Sequence, residues 1–238
     1  MQIAIDGPAG AGKSSVAKEI AHRLGLKYLD TGAMYRSITF IALREGIDPN
    51  NGALLAEAAH NCKLEISYDN QIGNRIFIDG KEITAEIRSP EINKFVSVVS
   101  KCPELRKEMV FLQKKVAEKS DGIVMEGRDI GTNVLENADY KFFLFASLEE
   151  RSRRRWKEMN KKGTEISIDE VMSEIAMRDR IDQEREASPL TISPEAEIID
   201  TTPYSLDEVV EKLLSSIKED KNKKRGYRIQ EDISDEVL

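Results

Sequence analysis

Apolar residues along the chain follow two alternating patterns. Short apolar runs typical of buried strands occur at 1–5, 26–29, 122–125, 141–145 and 197–200. Between strands, apolar residues recur at helical spacing, as at Val16, Ile20 and Leu24, and Gly25 can end that helix. Strands that alternate with helices predict an α/β fold with a parallel sheet of four or five strands.

The pattern changes at 63–83, where apolar and polar residues alternate and Asp79-Gly80 separates two such runs. This segment predicts a small antiparallel insert. Further helices are predicted at 31–45, 89–100 and 103–119. Ser205 and Glu208 have the spacing of a capping box, which predicts a last helix after them.

Composition and charge exclude several classes of partner. The 36 Lys and Arg against 43 Asp and Glu give the 238-residue chain a net charge of −7, which disfavours nucleic acid and anionic membranes. Cys62 and Cys102 have neither a disulfide pattern nor zinc-ligand spacing. No apolar run approaches the roughly 20 residues that cross a bilayer. A cytoplasmic protein that binds neither nucleic acid nor membrane is expected.

The segment from Gly7 to Ser14 matches the phosphate-loop pattern G-x-x-x-x-G-K-S and lies between a predicted strand and a predicted helix. Glycines let backbone N–H groups turn toward phosphate oxygens, and the helix N-terminus adds partial positive charge. Lys13 is expected to reach the β- and γ-phosphates, and the Ser14 hydroxyl to bind Mg²⁺. The predicted ATP-binding residues of the loop are Gly7, Pro8, Ala9, Gly10, Ala11, Gly12, Lys13, Ser14 and Ser15.

Such a loop does not by itself distinguish a kinase from an ATPase or a switch GTPase. The Asn-Lys-x-Asp motif typical of switch GTPases does not occur in the sequence. Arginines outside the loop do occur, and guanidinium groups suit phosphate oxygens. They are Arg36, Arg128, Arg151, Arg153, Arg154, Arg155, Arg178, Arg180 and Arg185. Their number implies a second substrate that carries phosphate.

Position within the predicted elements favours some of these arginines as ligands. Arg128 follows a buried strand, at the edge where open α/β sheets bind ligands. The spacing of Arg178, Asp182 and Arg185 predicts one face of a helix. With a similar cluster at 151–155, this face predicts a lid that excludes water from the transferring phosphoryl group.

The sequence offers few candidates for a general base. His22 and His60 are interpreted as ordinary surface or packing residues. An ionised phosphate oxygen needs no base in order to attack, because phosphoryl transfer then depends on positioning and charge stabilisation. The missing base therefore favours a phosphate group over an alcohol as the acceptor.

Four further motifs extend the phosphate loop into a specific combination. They are L-D-T-G-A-M-Y-R at 29–36, E-G-R-D-I-G-T at 126–132, R-D-R-I-D-Q-E-R at 178–185 and S-P-L at 188–190. Over residues 1–218 this combination resembles the bacterial cytidylate kinase family. The resemblance implies a three-layer P-loop fold with helices on both faces of the sheet, an insert that binds the monophosphate and a helical lid. It also implies a monomer that transfers phosphoryl from ATP with Mg²⁺ to CMP or dCMP.

The resemblance assigns roles to positions of this sequence. The charge-stabilising catalytic residues are Lys13, Arg128, Arg178 and Arg185. The CMP-binding residues are Thr31, Arg36, Ser97, Arg106, Arg128, Asp129, Arg178, Asp182 and Arg185, and Arg151, Arg154 and Arg155 join the ATP side. Asp129 is expected to accept from the cytosine amino group, and Asp182 to lie at the acceptor ribose. Glu126 stands where many members have Asp.

The expected organisation is one kinase domain at 1–218 and a charged mobile tail at 219–238. Within the domain the core is expected at 1–30, 121–150 and 190–218, the monophosphate-binding insert at about 31–120 and the lid at about 151–185. Two alternatives stay open. One is a P-loop kinase for UMP or another nucleoside monophosphate, and the other is a switch module that hydrolyses ATP.

Overall fold

The structure is a computed structural model that describes residues 1–69, 73–161, 163 and 165–219. Strands in chain order are β1 (Gln2–Asp6), β2 (Lys27–Asp30), β3 (Leu64–Asp69), β4 (Gly73–Ile78), β5 (Lys81–Glu82), β6 (Ile123–Gly127), β7 (Tyr140–Phe145) and β8 (Glu197–Asp200). Helices are α1 (Lys13–Leu24), α2 (Thr31–Glu45), α3 (Gly52–Asn61), α4 (Pro90–Val99), α5 (Pro103–Glu118), α6 (Leu148–Lys161), α7 (Ile168–Glu184) and α8 (206–219). A 3₁₀ turn (Glu86–Arg88) and a π-helical turn (Ile130–Val134) complete the described elements.

The main sheet is parallel and has the strand order β2-β6-β1-β7-β8. Its register places Asp6 opposite Gly127 and Asp30 opposite Glu126. The carboxyl ends of β1, β2 and β6 therefore meet at one edge, and the order of the strands reverses at β1. Ligands bind at such a switch point in open α/β sheets. The predicted parallel sheet is confirmed, with five strands.

Both faces of this sheet are covered by helices, because successive side chains of a strand point to opposite faces. Ile3 and Ile5 pack with apolar residues of α1 and α8 in one hydrophobic core. Ala4, between them, belongs to a second core with residues of α2 and α5. The prediction of a three-layer α/β fold is confirmed.

The antiparallel insert consists of β3, β4 and β5 in that order. Asp79 (φ 50°) and Gly80 (φ 78°) form the predicted turn between β4 and β5. Ile76 and Ile78 of β4 are buried in the same core as Leu29 of β2. The predicted insert is confirmed, and its apolar face is continuous with one face of the main sheet.

Helix ends agree with the glycine signals, and two details differ from the sequence-based expectations. Gly25 and Gly46 end α1 and α2 with positive φ. The additional helix α3 follows Asn51, whose side chain accepts a hydrogen bond from the amide of Leu54. Arg185 was predicted to continue the face of α7, but its ψ of 139° places it in extended backbone just after the helix.

The tail predicted at 219–238 lies outside the described residues except for 219. Across the described part of the chain, every helix is too short or too polar to cross a bilayer.

Gly7 is the position where the fold depends most directly on the absence of a side chain. Its φ is 146°, and an added Cβ would lie 1.9 Å from the backbone oxygen of Leu144 in β7. Gly7→Ala is expected to lower the free energy of unfolding by about 3 kcal/mol, since backbone strain and overpacking each contribute about 1–3 kcal/mol. Denaturant unfolding measures this change.

Gly46→Ala is the matched control, because Gly46 has φ 70° but open space around its Cα. At this position only backbone strain applies, so Gly46→Ala should lower the free energy of unfolding by about 1 kcal/mol. Equal decreases in the free energy of unfolding of the two variants would contradict the close approach of residue 7 to β7.

Candidate active site

The phosphate loop connects β1 to α1 at the carboxyl edge of the sheet. Gly10 (φ 77°) and Gly12 (φ 89°) adopt left-handed backbone conformations, and Gly12 is the N-cap of α1. The amides of the first turn of a helix have no intrahelical partner, so they can donate to an anion. A Cβ on Gly10 would lie 3.1 Å from the Cβ of Arg151, which shows how closely α6 packs on the loop.

Lys13 lies inside the loop and only 5% of it is exposed. Its Nζ donates to the backbone oxygen of Pro8 at 2.8 Å. Burial and the positive charge of Arg128 together lower the pKa of Lys13 to about 7, against the opposing charge of Glu126. The ammonium group is therefore poorly stabilised until an anion enters the loop.

Ser14 and Glu126 meet beside Lys13. The Ser14 hydroxyl donates to Oε1 of Glu126 at 2.5 Å, and the Tyr28 hydroxyl lies 3.3 Å from the same oxygen. Burial raises the pKa of Glu126, as does the negative charge of Asp30. The carboxylate thus lies at the end of β6, within reach of the loop.

The oxygen donors at this point fit Mg²⁺, which prefers hard oxygen ligands and keeps several waters or phosphate oxygens. Ser14 supplies a hydroxyl and Glu126 a carboxylate. Within the described ranges, no group of three or more His, Cys, Asp and Glu residues could enclose a metal ion. One hydroxyl and one carboxylate leave the remaining positions around such a metal to phosphate oxygens and waters.

Asp182 connects α7 to the segment after β6. This buried carboxylate accepts from Nε of Arg128 at 2.7 Å and lies 3.4 Å from Nη1 of Arg185. Burial acts to raise the pKa of Asp182, but the charges of Arg128 and Arg178 outweigh it and the pKa is lowered. Asp182 is therefore ionised and holds Arg128 in place.

Asp129 forms a second buried centre next to the first. It accepts from Nη2 of Arg106 at 2.7 Å, and its other oxygen is 3.5 Å from Nη2 of Arg185. Arg106 also stacks its guanidinium over the Tyr35 ring, 5.1 Å from the ring centroid. The structure thus brings together three of the residues expected to read or hold CMP.

Several buried polar atoms around these carboxylates have no hydrogen-bond partner among the described residues. These atoms are Tyr35 Oη, Arg106 Nε, Gln113 Nε2, Arg178 Nε and Arg185 Nη2. Buried polar groups in proteins are nearly always paired, so unpaired ones in one region point to a polar ligand or water.

Arg178 and Arg36 add positive charge at the same edge. Burial, together with the charges of Arg128 and Arg36, lowers the pKa of Arg178 to about 9. Burial also lowers the pKa of Arg36, against the opposing charge of Asp30. The charge of Arg128, which Asp182 stabilises, thus lowers the pKa values of Lys13, Arg36 and Arg178, and a bound polyanion would favour their charged forms.

The three arginines expected on the ATP side have different surroundings. Arg151 is buried and donates to the backbone oxygens of Ala9 and Ala146, both at 3.0 Å. Arg154 donates to Thr201 and lies near Gly12. Arg155, farther along α6, pairs with Glu158 at 2.9 Å. Arg151 and Arg154 adjoin the loop, whereas Arg155 pairs with its own helix.

Thr31 and Ser97 lie on different helices, α2 and α4. The Thr31 hydroxyl donates to the backbone oxygen of Glu126 at 2.7 Å and thereby joins α2 to β6. Ser97 is half-buried on α4, a helix that packs against α7. Thr31 therefore lies at the carboxyl edge of the sheet, and Ser97 lies on the helix that packs against α7.

Three residues that shape this site are not among those predicted from the sequence. Asp6, at the end of β1, accepts from the amides of Ile130 and Gly131 at 2.9 and 2.7 Å. Asn74 of the insert accepts from the amide of Asp30 at 2.7 Å, and Asp179 of α7 contacts the phosphate loop. Asp6 had a signal, an acidic residue directly before the loop, but the other two had none.

The chain is similar in sequence to known cytidylate kinases and similar in fold to a solved structure. Cytidylate kinase of Caldanaerobacter subterraneus subsp. tengcongensis is 52% identical over 92% of this chain and 95% of its own. Cytidylate kinase of Bacillus subtilis is 46% identical over 92% of this chain and 97% of its own. The crystal structure of an uncharacterized protein from Eubacterium ventriosum has a similar fold, with a TM-score of 0.51, 13% identity, and coverage of 92% of this chain and 98% of that one.

The cytidylate kinase family model matches residues 3–219, which extend from β1 to the end of α8. This span includes the phosphate loop, both buried carboxylate centres and α7. The match covers nearly all of the residues that the structure describes, including those that form the positively charged edge of the sheet. This chain belongs to the cytidylate kinase family.

Proposed function

We propose that this cytidylate kinase transfers the γ-phosphoryl group of Mg²⁺-bound ATP to the phosphate of CMP or dCMP at the carboxyl edge of the sheet. The observation that carries this proposal is the buried pair of carboxylates, Asp129 and Asp182, each held among arginines. Such a site binds a phosphate and a polar base together. A monomeric state and a cytoplasmic location belong to the same proposal.

The donor side of the proposed reaction is the phosphate loop. Residues 7–15 would hold the ATP phosphates through backbone amides, and Lys13 would stabilise the charge on the β- and γ-phosphates. Ser14 would bind Mg²⁺, with Glu126 positioned to hold its water ligands; the metal would supply charge neutralisation on the phosphates. Arg154, which lies near Gly12, supports the same side of the site.

The acceptor side would use the two carboxylate centres. Asp129 would accept from the cytosine amino group, as carboxylates accept from cytosine N4, with Arg106 and Ser97 beside the base. Asp182 would lie at the ribose while Arg36 and Arg128 hold the acceptor phosphate.

Transfer would then need positioning and charge rather than a base, since the acceptor oxygen is already ionised. Arg178 and Arg185 would complete the charge stabilisation over the transferring group. In this proposal α6 and α7 form the lid at about 151–185, and 31–120 forms the monophosphate-binding region.

The first prediction for the active site concerns the charge-stabilising residues. Lys13→Ala and Arg178→Ala are each expected to lower kcat about 100-fold or more, as losses of groups that stabilise transition-state charge do. Coupled ADP release with CMP, dCMP, UMP, AMP and GMP as acceptors measures turnover and acceptor choice together.

Arg180→Ala is the matched control, because Arg180 lies on the same helix but is exposed and pairs with exposed Glu184. Its kcat should stay within about twofold of wild type, as expected for a surface ion pair. Near-normal turnover in Lys13→Ala or Arg178→Ala would contradict these roles, and equal turnover with all acceptors would contradict the assignment of CMP.

The second prediction concerns recognition of the base. Asp129→Asn introduces an amide that can donate to uracil O4, so the ratio of kcat/KM for CMP to that for UMP should fall about tenfold or more. The KM for ATP should change little. Asp207→Asn, whose side chain is 86% exposed, is the control and should keep the wild-type ratio. An unchanged ratio in Asp129→Asn would rule out a base-reading role.

The third prediction follows from the lowered pKa of Lys13. With a pKa of about 7, the free protein carries a mostly neutral Lys13 at pH 8 and a mostly charged one at pH 6. Bound phosphates favour the charged form, so ATP binding should take up nearly one more proton at pH 8 than at pH 6 through this residue. Calorimetry in buffers of different ionisation enthalpy measures the proton number.

Lys13→Met is the control for this measurement, because it removes the titrating group and leaves the ionisation of ATP itself unchanged. Only the difference between wild type and Lys13→Met at each pH is assigned to Lys13. A difference near zero at both pH 6 and pH 8 would show that Lys13 is already charged before ATP binds.

A further inference from the structure

Asp179 of α7 contacts the phosphate loop directly, although none of the roles given above uses it. Its Oδ1 accepts from the backbone amide of Ala9 at 3.3 Å, and its Oδ2 accepts from Nη1 of Arg151 at 2.5 Å. The same Arg151 nitrogen donates to the backbone oxygen of Ala9 at 3.0 Å. The Asp179–Arg151 pair therefore binds both the backbone N–H and the backbone oxygen of Ala9.

The pair is buried, so its contacts restrict the loop strongly. The exposed fractions of the side chains are 8% for Arg151 and 13% for Asp179. Breaking a buried ion pair by removing one partner leaves a charge without compensation, which is far more costly than breaking a surface pair. Arg151 also neutralises a carboxylate that would otherwise repel the phosphates of ATP.

A residue of the proposed acceptor side also lies on α7, one turn after Asp179. Asp182 lies three residues after Asp179, on a continuous stretch of α7, and binds Arg128 at 2.7 Å. Arg178 directly precedes Asp179, and the charge of Asp179 also acts on Arg128. Because a helical turn is rigid, a movement of α7 at Asp182 is transmitted to Asp179 and hence to Ala9.

We propose that Asp179 is a positioning residue that couples the acceptor site to the phosphate loop. This inference rests on the proposed function, in which CMP binds at Asp182 and Arg178. CMP bound there holds α7 in the position where Asp179 and Arg151 fix Ala9, so the loop is set for the donor phosphates. Coupling of this kind is reciprocal: each nucleotide tightens the binding of the other by the same factor.

The test measures the Kd of Mg·ADP by calorimetry in the absence and presence of saturating CMP. In the wild type, CMP should lower this Kd by about fivefold or more, the lower end of typical coupling between two sites. In Asp179→Ala the ratio of the two Kd values should fall to about 1, while the Kd of CMP alone changes by less than about threefold.

Two further variants separate coupling from folding. Asp179→Asn keeps an oxygen that can accept from the Ala9 amide but loses the charge toward Arg151, so its ratio should be intermediate. Glu184→Ala removes an exposed carboxylate from the same helix and should keep the wild-type ratio. Thermal unfolding of each variant verifies that the protein is folded.

A wild-type ratio in Asp179→Ala, or no effect of CMP on ADP binding in the wild type, would overturn the coupling role. An Asp179→Ala variant that unfolds while Asp179→Asn keeps the full ratio would reduce the residue to a structural one. Failure of the wild type to phosphorylate CMP would instead refute the proposed function, so the two failures are distinguishable.

Discussion

The crowding of cations at a largely desolvated edge of the sheet is the constraint on which the rest of this site depends. Lys13, Arg36, Arg128 and Arg178 lie close enough for burial and mutual repulsion to lower the pKa of Lys13 to about 7 and that of Arg178 to about 9. Two buried carboxylates, Asp129 and Asp182, hold arginines in this region. Cations held this close together repel one another, and polyanionic substrates neutralise their charge. Such a site suits an ATP-dependent nucleoside monophosphate kinase.

The fold assembles this site from distant parts of the chain. The parallel register brings the ends of β1 and β6 together, and Asp6 joins β1 to the turn that follows Asp129. Asn74 ties the insert to β2 by hydrogen bonds to its backbone at both Tyr28 and Asp30. Secondary structure therefore places each residue, and side chains at strand ends fix the relative positions of the elements.

Most of the fold was predictable because its signals are local. Apolar runs marked the five parallel strands, Gly25 and Gly46 marked the ends of helices, and the Ser205–Glu208 capping box is present. Helix α3 was missed because its beginning lies in a segment rich in turn residues, which also contains the Asn51 cap. Local pattern likewise extended α7 to Arg185, where the backbone has already become extended.

The sequence by itself determined the phosphate loop, the positions of the parallel strands along the chain, and which residue types would carry positive charge. Only the tertiary structure decided what each charge does. Arg151 and Arg155 look equivalent in the sequence, yet the packing of α6 on the loop buries Arg151 against Ala9 and leaves Arg155 paired with Glu158. The physical reason is that partners and burial depend on neighbours distant in sequence, such as Asp179, which no local pattern specifies.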